Sequence, residues 1–284
     1  MLLYESKDSF LEETIELKKA KYILLPVPMD ITTTYLKGTK FGPRSIIEAS
    51  RSIENYNAEL NFDVRDLIYT AGELEIPPDA QKAVEVIRKT VSDVLMENKF
   101  PIIVGGEHTI TYGASLAFDK DVIFIIFDAH ADFKKDVFGS EINHASNSRL
   151  INRRNKIILI GVRSLSLEEK NELKKNKIPV FYAYDQKIET NIKGLFDHMK
   201  GKQVYVSIDM DVFDPSVAPG VGTPQPGGML YQTVKFLLEK IAKNSKIVGF
   251  DVNEVRPLGE NNITEILAAK LIVDMIALSE NNKK

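Results

Sequence analysis

Short apolar runs recur along the whole chain, and helix-patterned segments separate most of them. The clear runs are Lys21–Val27, Ile102–Val104, Val122–Phe127, Lys156–Val162, Val180–Tyr184, Val204–Ile208 and Ile247–Val252, with a weaker one at Ile68–Gly72. Runs so rich in β-branched and aromatic residues read as strands buried on both faces. Between them, Asp79–Asn98 sets Ala83, Ile87, Val91 and Val94/Leu95 on one helical face. Leu230–Lys243 behaves similarly, and Ile263–Leu278 is apolar on most sides, which predicts a buried helix. Strands alternating with helices predict a parallel sheet covered by helices. No Pro/Gly/Ser linker, repeat or low-complexity tract interrupts the series, so residues 1–284 read as one domain. The expected fold is α/β: a three-layer α/β/α sandwich with a mostly parallel, roughly eight-stranded sheet. Alternation by itself leaves a closed eight-stranded barrel open.

Two of these strands run straight into carboxylates. Val122–Phe127 is followed by Asp128-Ala-His130-Ala-Asp132, and Val204–Ile208 by Asp209-Met-Asp211. In an extended chain residues i, i+2 and i+4 point to one side. Asp128, His130, Asp132, Asp209 and Asp211 would then converge at the carboxyl edge of the sheet, where open α/β sheets bind ligands. Four carboxylates repel one another strongly unless positive charge neutralises them. Two divalent cations balance that charge, which predicts a binuclear metal site. A third strand ends in Gly105-Gly106-Glu107-His108, whose glycines permit a sharp turn that brings in His108. Carboxylate and imidazole without sulfur suit manganese, with cobalt, nickel, iron and zinc as other options. A single Asp after a strand often only caps the next helix. Three strand ends acting together argue for a site.

Composition narrows the function classes. The chain has no cysteine, so thiolate ligands, thiolate nucleophiles and disulfides are excluded. A formal net charge of −3 and no basic stripe with interleaved aromatics give no nucleic-acid signature. The start lacks the apolar core of a signal peptide and no stretch reaches membrane-spanning length without a charge, so a cytoplasmic protein without membrane partners is expected.

The motifs resemble the ureohydrolase family of arginase, agmatinase, guanidinobutyrase and formiminoglutamase. The matching stretches are Gly38–Arg44, Gly105–His108, Phe127–Asp132, Asn143–Ser146, Ser207–Pro215, Gly222–Gly228 and Gly249–Glu254, in family order over nearly the whole chain. The resemblance implies two manganese ions: one held by His108, Asp128, Asp132 and Asp209, the other by Asp128, His130, Asp209 and Asp211. Asp128 and Asp209 would bridge them, and a water shared by two cations has its pKa lowered toward neutrality. Asp132 would accept a hydrogen bond from that nucleophile. Glu254 would bind the planar substrate cation, whose parallel N–H donors suit a carboxylate. His144 would shuttle a proton to the leaving amine, a task suited to histidine, whose side chain ordinarily titrates near neutrality. Thr223, on a rigid loop that lacks the features of a phosphate cradle, would lie near the substrate. His198 has no such neighbourhood and is expected on a solvent-facing helix. Glu107 stands where the family usually has Asp, and Ala145 where it has Gly; neither is a ligand position. Relatives form trimers or hexamers, so a homo-oligomer is implied.

The substrate is narrowed by what the chain lacks. Arginase holds the amino-acid head of its substrate with an Asn after the D-x-H-x-D motif, a Ser/Asn pair before the loop histidine and acidic residues after a Gly-x-Arg. Here Lys134 takes the first position, Ser140 is partnered by Ile142, and Ser164 and Ser166 follow Arg163. Agmatine, which has no such head, is therefore the leading substrate, hydrolysed to putrescine and urea. Lys134 and Lys135 could attract the carboxylate of guanidinobutyrate or formiminoglutamate, whereas Asp136 and Glu141 favour a distal amine. Aminopropylagmatine and arginine remain alternatives, as do a non-catalytic metal-binding protein and a deacylase of the same fold.

Overall fold

The structure, a computed structural model, describes residues 6–12, 15–137, 139–185 and 199–281. Its sheet has eight strands: β1 Tyr22–Val27, β2 Ile68–Thr70, β3 Phe100–Gly105, β4 Ile123–Phe127, β5 Ile157–Val162, β6 Val180–Tyr182, β7 Gln203–Asp209 and β8 Lys246–Asn253. Their order is β2-β1-β3-β8-β7-β4-β5-β6, and every neighbouring pair is parallel. Among the described residues β2 and β6 each pair with a strand on one side only, so the sheet is open and not a closed barrel. Both edge strands are shorter than their sequence runs, which reach Gly72 and Tyr184, as is usual where a strand pairs on one side only. A two-residue antiparallel ladder, Tyr56–Asn57 with Phe62–Asp63, stands apart from the sheet.

Alternate residues along the strands feed two separate cores. Leu24, Ile102, Ile125, Val206 and Phe250 face α1 (Gly42–Ala49), α6 (Tyr231–Asn244) and α7 (Ile263–Asn281). Ile23, Ile103, Phe124, Ile126 and Tyr205 face α2 (Ala80–Met96), α3 (Thr109–Ser115), α4 (Asn147–Asn152) and α5 (Leu167–Lys175). This is the three-layer α/β/α sandwich that the alternation of strands and helices predicts. α2 starts at Asp79, whose side chain accepts the Lys82 N–H at 2.8 Å and so satisfies an orphan donor of the first turn. α7 is buried from Ala268 to Leu278 apart from Lys270, as its apolar sequence predicts. Among the described residues no helix is long and apolar enough to cross a membrane. His198 lies outside them.

What the fold does for function is set by four central strands. Val104 on β3 pairs with Val252 on β8, Val252 with Ile208 on β7, and Ile208 with Phe127 on β4. All four side chains are fully buried, and each such burial contributes about 1.5–3 kcal/mol. Directly beyond this apolar row come Gly105, Asn253, Asp209 and Asp128. The row fixes where the polar edge begins, and the strand-order reversal beside it opens the crevice in which such sheets bind ligands.

Candidate metal centre

Asp128, His130, Asp132, Asp209, Asp211 and His108 all reach this edge, and two groups of donors form. His108 Nδ1 lies 3.2 Å from Asp128 Oδ2, 3.4 Å from Asp132 Oδ2 and 3.3 Å from Asp209 Oδ2. His130 Nδ1 lies 2.9 Å from Asp211 Oδ2 and 3.5 Å from Asp128 Oδ1. Asp128 thus presents one oxygen to each group. Asp209 approaches the His108 group with Oδ2, while its Oδ1 accepts the Asp211 N–H at 2.8 Å.

The route by which they converge differs from extended alternation. The chain leaves the strand geometry at Phe127, and Asp132 adopts φ +48°, a left-handed turn that swings its carboxylate back toward His108. Asp211 lies on a 3-10 turn, Met210–Val212, started by the side chain of Asp209. Asp128 does the same locally, accepting the His130 N–H at 2.6 Å. In both aspartates one oxygen folds the loop and the other faces His108, so capping and ligation are not alternatives here. Gly105 and Gly106 have ordinary negative φ; they are small because a Cβ at Gly106 would run into the Met29 carbonyl.

The donors fit divalent cations. His108 Nδ1 and Asp128 Oδ2 are buried without a hydrogen-bond partner, an arrangement that is costly unless something binds both. Burial pushes Asp209 well above the usual carboxylate range, helped by Asp211 and Asp128. Burial and the charge of Asp128 push Asp132 up to about 6. Burial opposes protonation of His130, yet Asp211 and Asp128 outweigh it and push it up to about 12. Carboxylates crowded enough to take up protons will take cations in their place.

A buried second layer sets the tautomer of His108. Its Nε2 lies 2.9 Å from Ser207 Oγ, and Ser207 donates to Asp251 Oδ1 at 2.7 Å. The hydroxyl proton is thus committed to Asp251, so Ser207 accepts Nε2–H and the Nδ1 lone pair is left for the metal. Asn253 also donates to Asp251 Oδ1, at 2.5 Å. Ser207→Ala should weaken cation binding in the His108 group by about 10–100-fold and spare the His130 group. Chelator-competition titration resolves the two sites; equal weakening of both would contradict this reading.

A cavity of about 280 Å³ opens on the same edge, lined by His130, Asp132, Asp209, Glu254, His144 and Thr223 among others. Glu254 follows β8 with φ +63°, and its Oε1 accepts the His108 backbone N–H at 2.7 Å. Burial raises its pKa well above the ordinary value, partly offset by that N–H; a buried carboxylate of this kind favours a cationic partner. Thr223 donates to Asp211 Oδ2 at 3.2 Å. The His144 ring sits between two hydroxyls, Thr32 Oγ1 3.4 Å from Nδ1 and Thr34 Oγ1 3.3 Å from Nε2.

Several lining and supporting groups escaped the sequence reading. Glu169 is buried on the far wall, accepting from Phe133 N, Ser166 N and Ser166 Oγ. In sequence it shows only as the closing residue of a capping box that starts at Ser166. Of the loop charges, Lys134 lines the cavity. Asp136 instead caps Gly139 N, and Glu141 pairs with Arg153. A larger hollow of about 650 Å³ at the amino edge of the sheet is lined by lysines, with no carboxylate or imidazole among its described walls, and has no comparable chemistry.

Residues 20–277 match the arginase family. The chain is 36% identical over 286 residues to an agmatinase of Pyrococcus horikoshii, covering 98% of this chain and 99% of that one. It is 34% identical over 263 residues to an N(1)-aminopropylagmatine ureohydrolase of Thermococcus kodakarensis, covering 91% and 90% respectively. The solved agmatine ureohydrolase of Thermoplasma volcanium superposes with a TM-score of 0.89 at 34% identity, covering 97% of this chain and 95% of that one.

Proposed function

The chain belongs to the arginase family, and on that footing we propose that it acts as a single catalytic domain, hydrolysing agmatine to putrescine and urea with two manganese ions. Proteins of this family are metal-dependent hydrolases of amidine C–N bonds, and this chain is a hydrolase of that class acting on a small guanidino substrate. The observation that carries the finer reading is Asp128, one oxygen toward each group of donors, beside a cavity that also holds Glu254. His108, Asp128, Asp132 and Asp209 would hold one ion, and His130, Asp211, Asp128 and Asp209 the other. Bound cations supply Lewis acidity and bring a water molecule toward ionisation at neutral pH.

The chain's own groups account for the rest. Glu254 orients the guanidinium by a charge-assisted hydrogen bond. Asp132 accepts a hydrogen bond from the attacking water, and Thr223 holds Asp211 in place. Addition of water to the guanidinium carbon gives a tetrahedral species, whose collapse breaks the bond to the substituted nitrogen. His144 delivers the proton that lets this nitrogen leave as an amine. His144→Ala should therefore lower kcat by about 10²–10⁴-fold with a much smaller change in KM. Steady-state kinetics checks this, and a change confined to KM would remove the shuttle role.

Agmatine is favoured because the amino-acid clamp is missing and because buried Glu169 offers a remaining lone pair to a distal ammonium. Aminopropylagmatine is the second reading, supported by the Thermococcus relative. Urea release from agmatine, aminopropylagmatine, guanidinobutyrate and arginine, with formamide release from formiminoglutamate, tests the choice. Urea chiefly from agmatine is expected; formamide without urea would reassign the chain to formiminoglutamate. The reading includes a trimeric or hexameric assembly, which a monomeric mass by light scattering at micromolar concentration would overturn.

A further inference from the structure

Glu107 is a buried carboxylate without a partner cation. It is 0% exposed, and among the described residues no Lys, Arg or His nitrogen lies within 4.0 Å of it. Four donors compensate its charge instead. Oε2 accepts Ile31 N at 2.5 Å and Thr32 N at 2.6 Å, while Oε1 accepts Thr32 Oγ1 at 2.5 Å and Thr109 Oγ1 at 2.8 Å. Short hydrogen bonds to a carboxylate are the strong ones, so the loop after β1 is pinned to the turn after β3. Thr32 in turn touches His144 twice: Oγ1 accepts the backbone N–H of His144 at 3.0 Å and lies 3.4 Å from ring Nδ1.

The hydroxyl of Thr32 has one proton, and the carboxylate claims it. Toward His144 its oxygen can then only accept, so Nδ1 carries the hydrogen and Nε2 is the nitrogen that exchanges protons. We propose that Glu107 is a positioning residue for His144, acting through Thr32 to fix the orientation and the tautomer of that imidazole. The balance is consistent with the shuttle: imidazolium gives up Nε2–H to the leaving nitrogen and becomes the neutral Nδ1–H tautomer that Thr32 stabilises. The inference rests on the proton-delivery role assigned to His144 above.

Glu107→Gln keeps the shape but leaves a single acceptor oxygen against the same donors, freeing the Thr32 hydroxyl to turn toward Nδ1. The test is a double-mutant cycle on the manganese-loaded enzyme, using whichever guanidino compound the unaltered protein hydrolyses. Glu107→Gln should lower kcat by about 10–100-fold, by analogy with the loss of a partner that orients a metal-ligating histidine. KM should stay within about threefold and both metals should remain bound. In a His144→Ala background the same substitution should cost almost nothing, because there is no ring left to orient. Thr32→Val, which removes only the linking hydroxyl, should reproduce the kcat loss and its dependence on His144; it decides the matter if Glu107→Gln does not fold or loses metal. Equal losses from Thr32→Val or Glu107→Gln with and without His144 would overturn the proposal. Failure of the shuttle role would look different, as an unchanged kcat in His144→Ala alone.

Discussion

Asp128→Asn should remove both cations from the protein together. Its Oδ2 lies among the His108 group and its Oδ1 beside His130. An amide there can offer one oxygen to one group only, turns an NH₂ toward the other, and removes a charge from both. Breaking a buried charge pair by removing one partner costs about 3–5 kcal/mol, or roughly two to nearly four orders of magnitude in affinity. Metal analysis after gel filtration should find neither site retained, and urea release should fall at least in proportion. Asp211→Asn is the contrast. It faces only the His130 group, so the cation on the His108 side should stay. Retention of one ion by Asp128→Asn would mean that this carboxylate is not shared.

Glu254→Gln should do the reverse, abolishing most turnover while keeping the metals. Oε1 takes the His108 backbone N–H, and the Glu254 side chain lines the cavity. The glutamine oxygen can keep the first role. Its NH₂ is then left facing the guanidinium, donor against donor. Losing a desolvated charge-assisted pair costs about 2–5 kcal/mol, roughly a thirtyfold to several-thousandfold drop in kcat/KM, and the donor clash places the expectation toward the upper end. Near-normal kcat/KM with both metals bound would show that the guanidinium lies elsewhere.

The contrast between these two residues reflects what can be seen in a sequence. The strands that carry the donors are legible because burial on both faces leaves continuous apolar runs such as Ile123–Phe127, and the residues ending them are necessarily at the sheet edge. Convergence of Asp128, His130 and Asp132 is therefore visible, although the extended geometry inferred for it is not the one adopted. Asp132 reaches His108 through a left-handed residue, which no periodicity encodes. The supporting groups are hidden for another reason. Glu107 meets Ile31 across 76 positions and Ser207 meets Asp251 across 44, and each looks like an ordinary polar residue beside a strand. Glu169 has a complete local explanation as a helix cap, which conceals that its other side faces the cavity. Contacts made between loops of different strands follow from the strand order β3-β8-β7-β4, and strand order is not written in any one segment.

Hydrolysis of agmatine in ¹⁸O-labelled water tests the central claim most directly, because two kinds of C–N bond in its guanidinium can be cut, the one to the alkyl nitrogen or one to a terminal nitrogen. In the proposed reading Glu254 holds the guanidinium and His144 protonates the leaving amine, both lining one cavity, so the bond to the alkyl nitrogen should break. Equimolar putrescine and urea are predicted, with one labelled oxygen in each urea formed during a single pass. Ammonia with a carbamoylated amine, or urea without the label, would contradict the account.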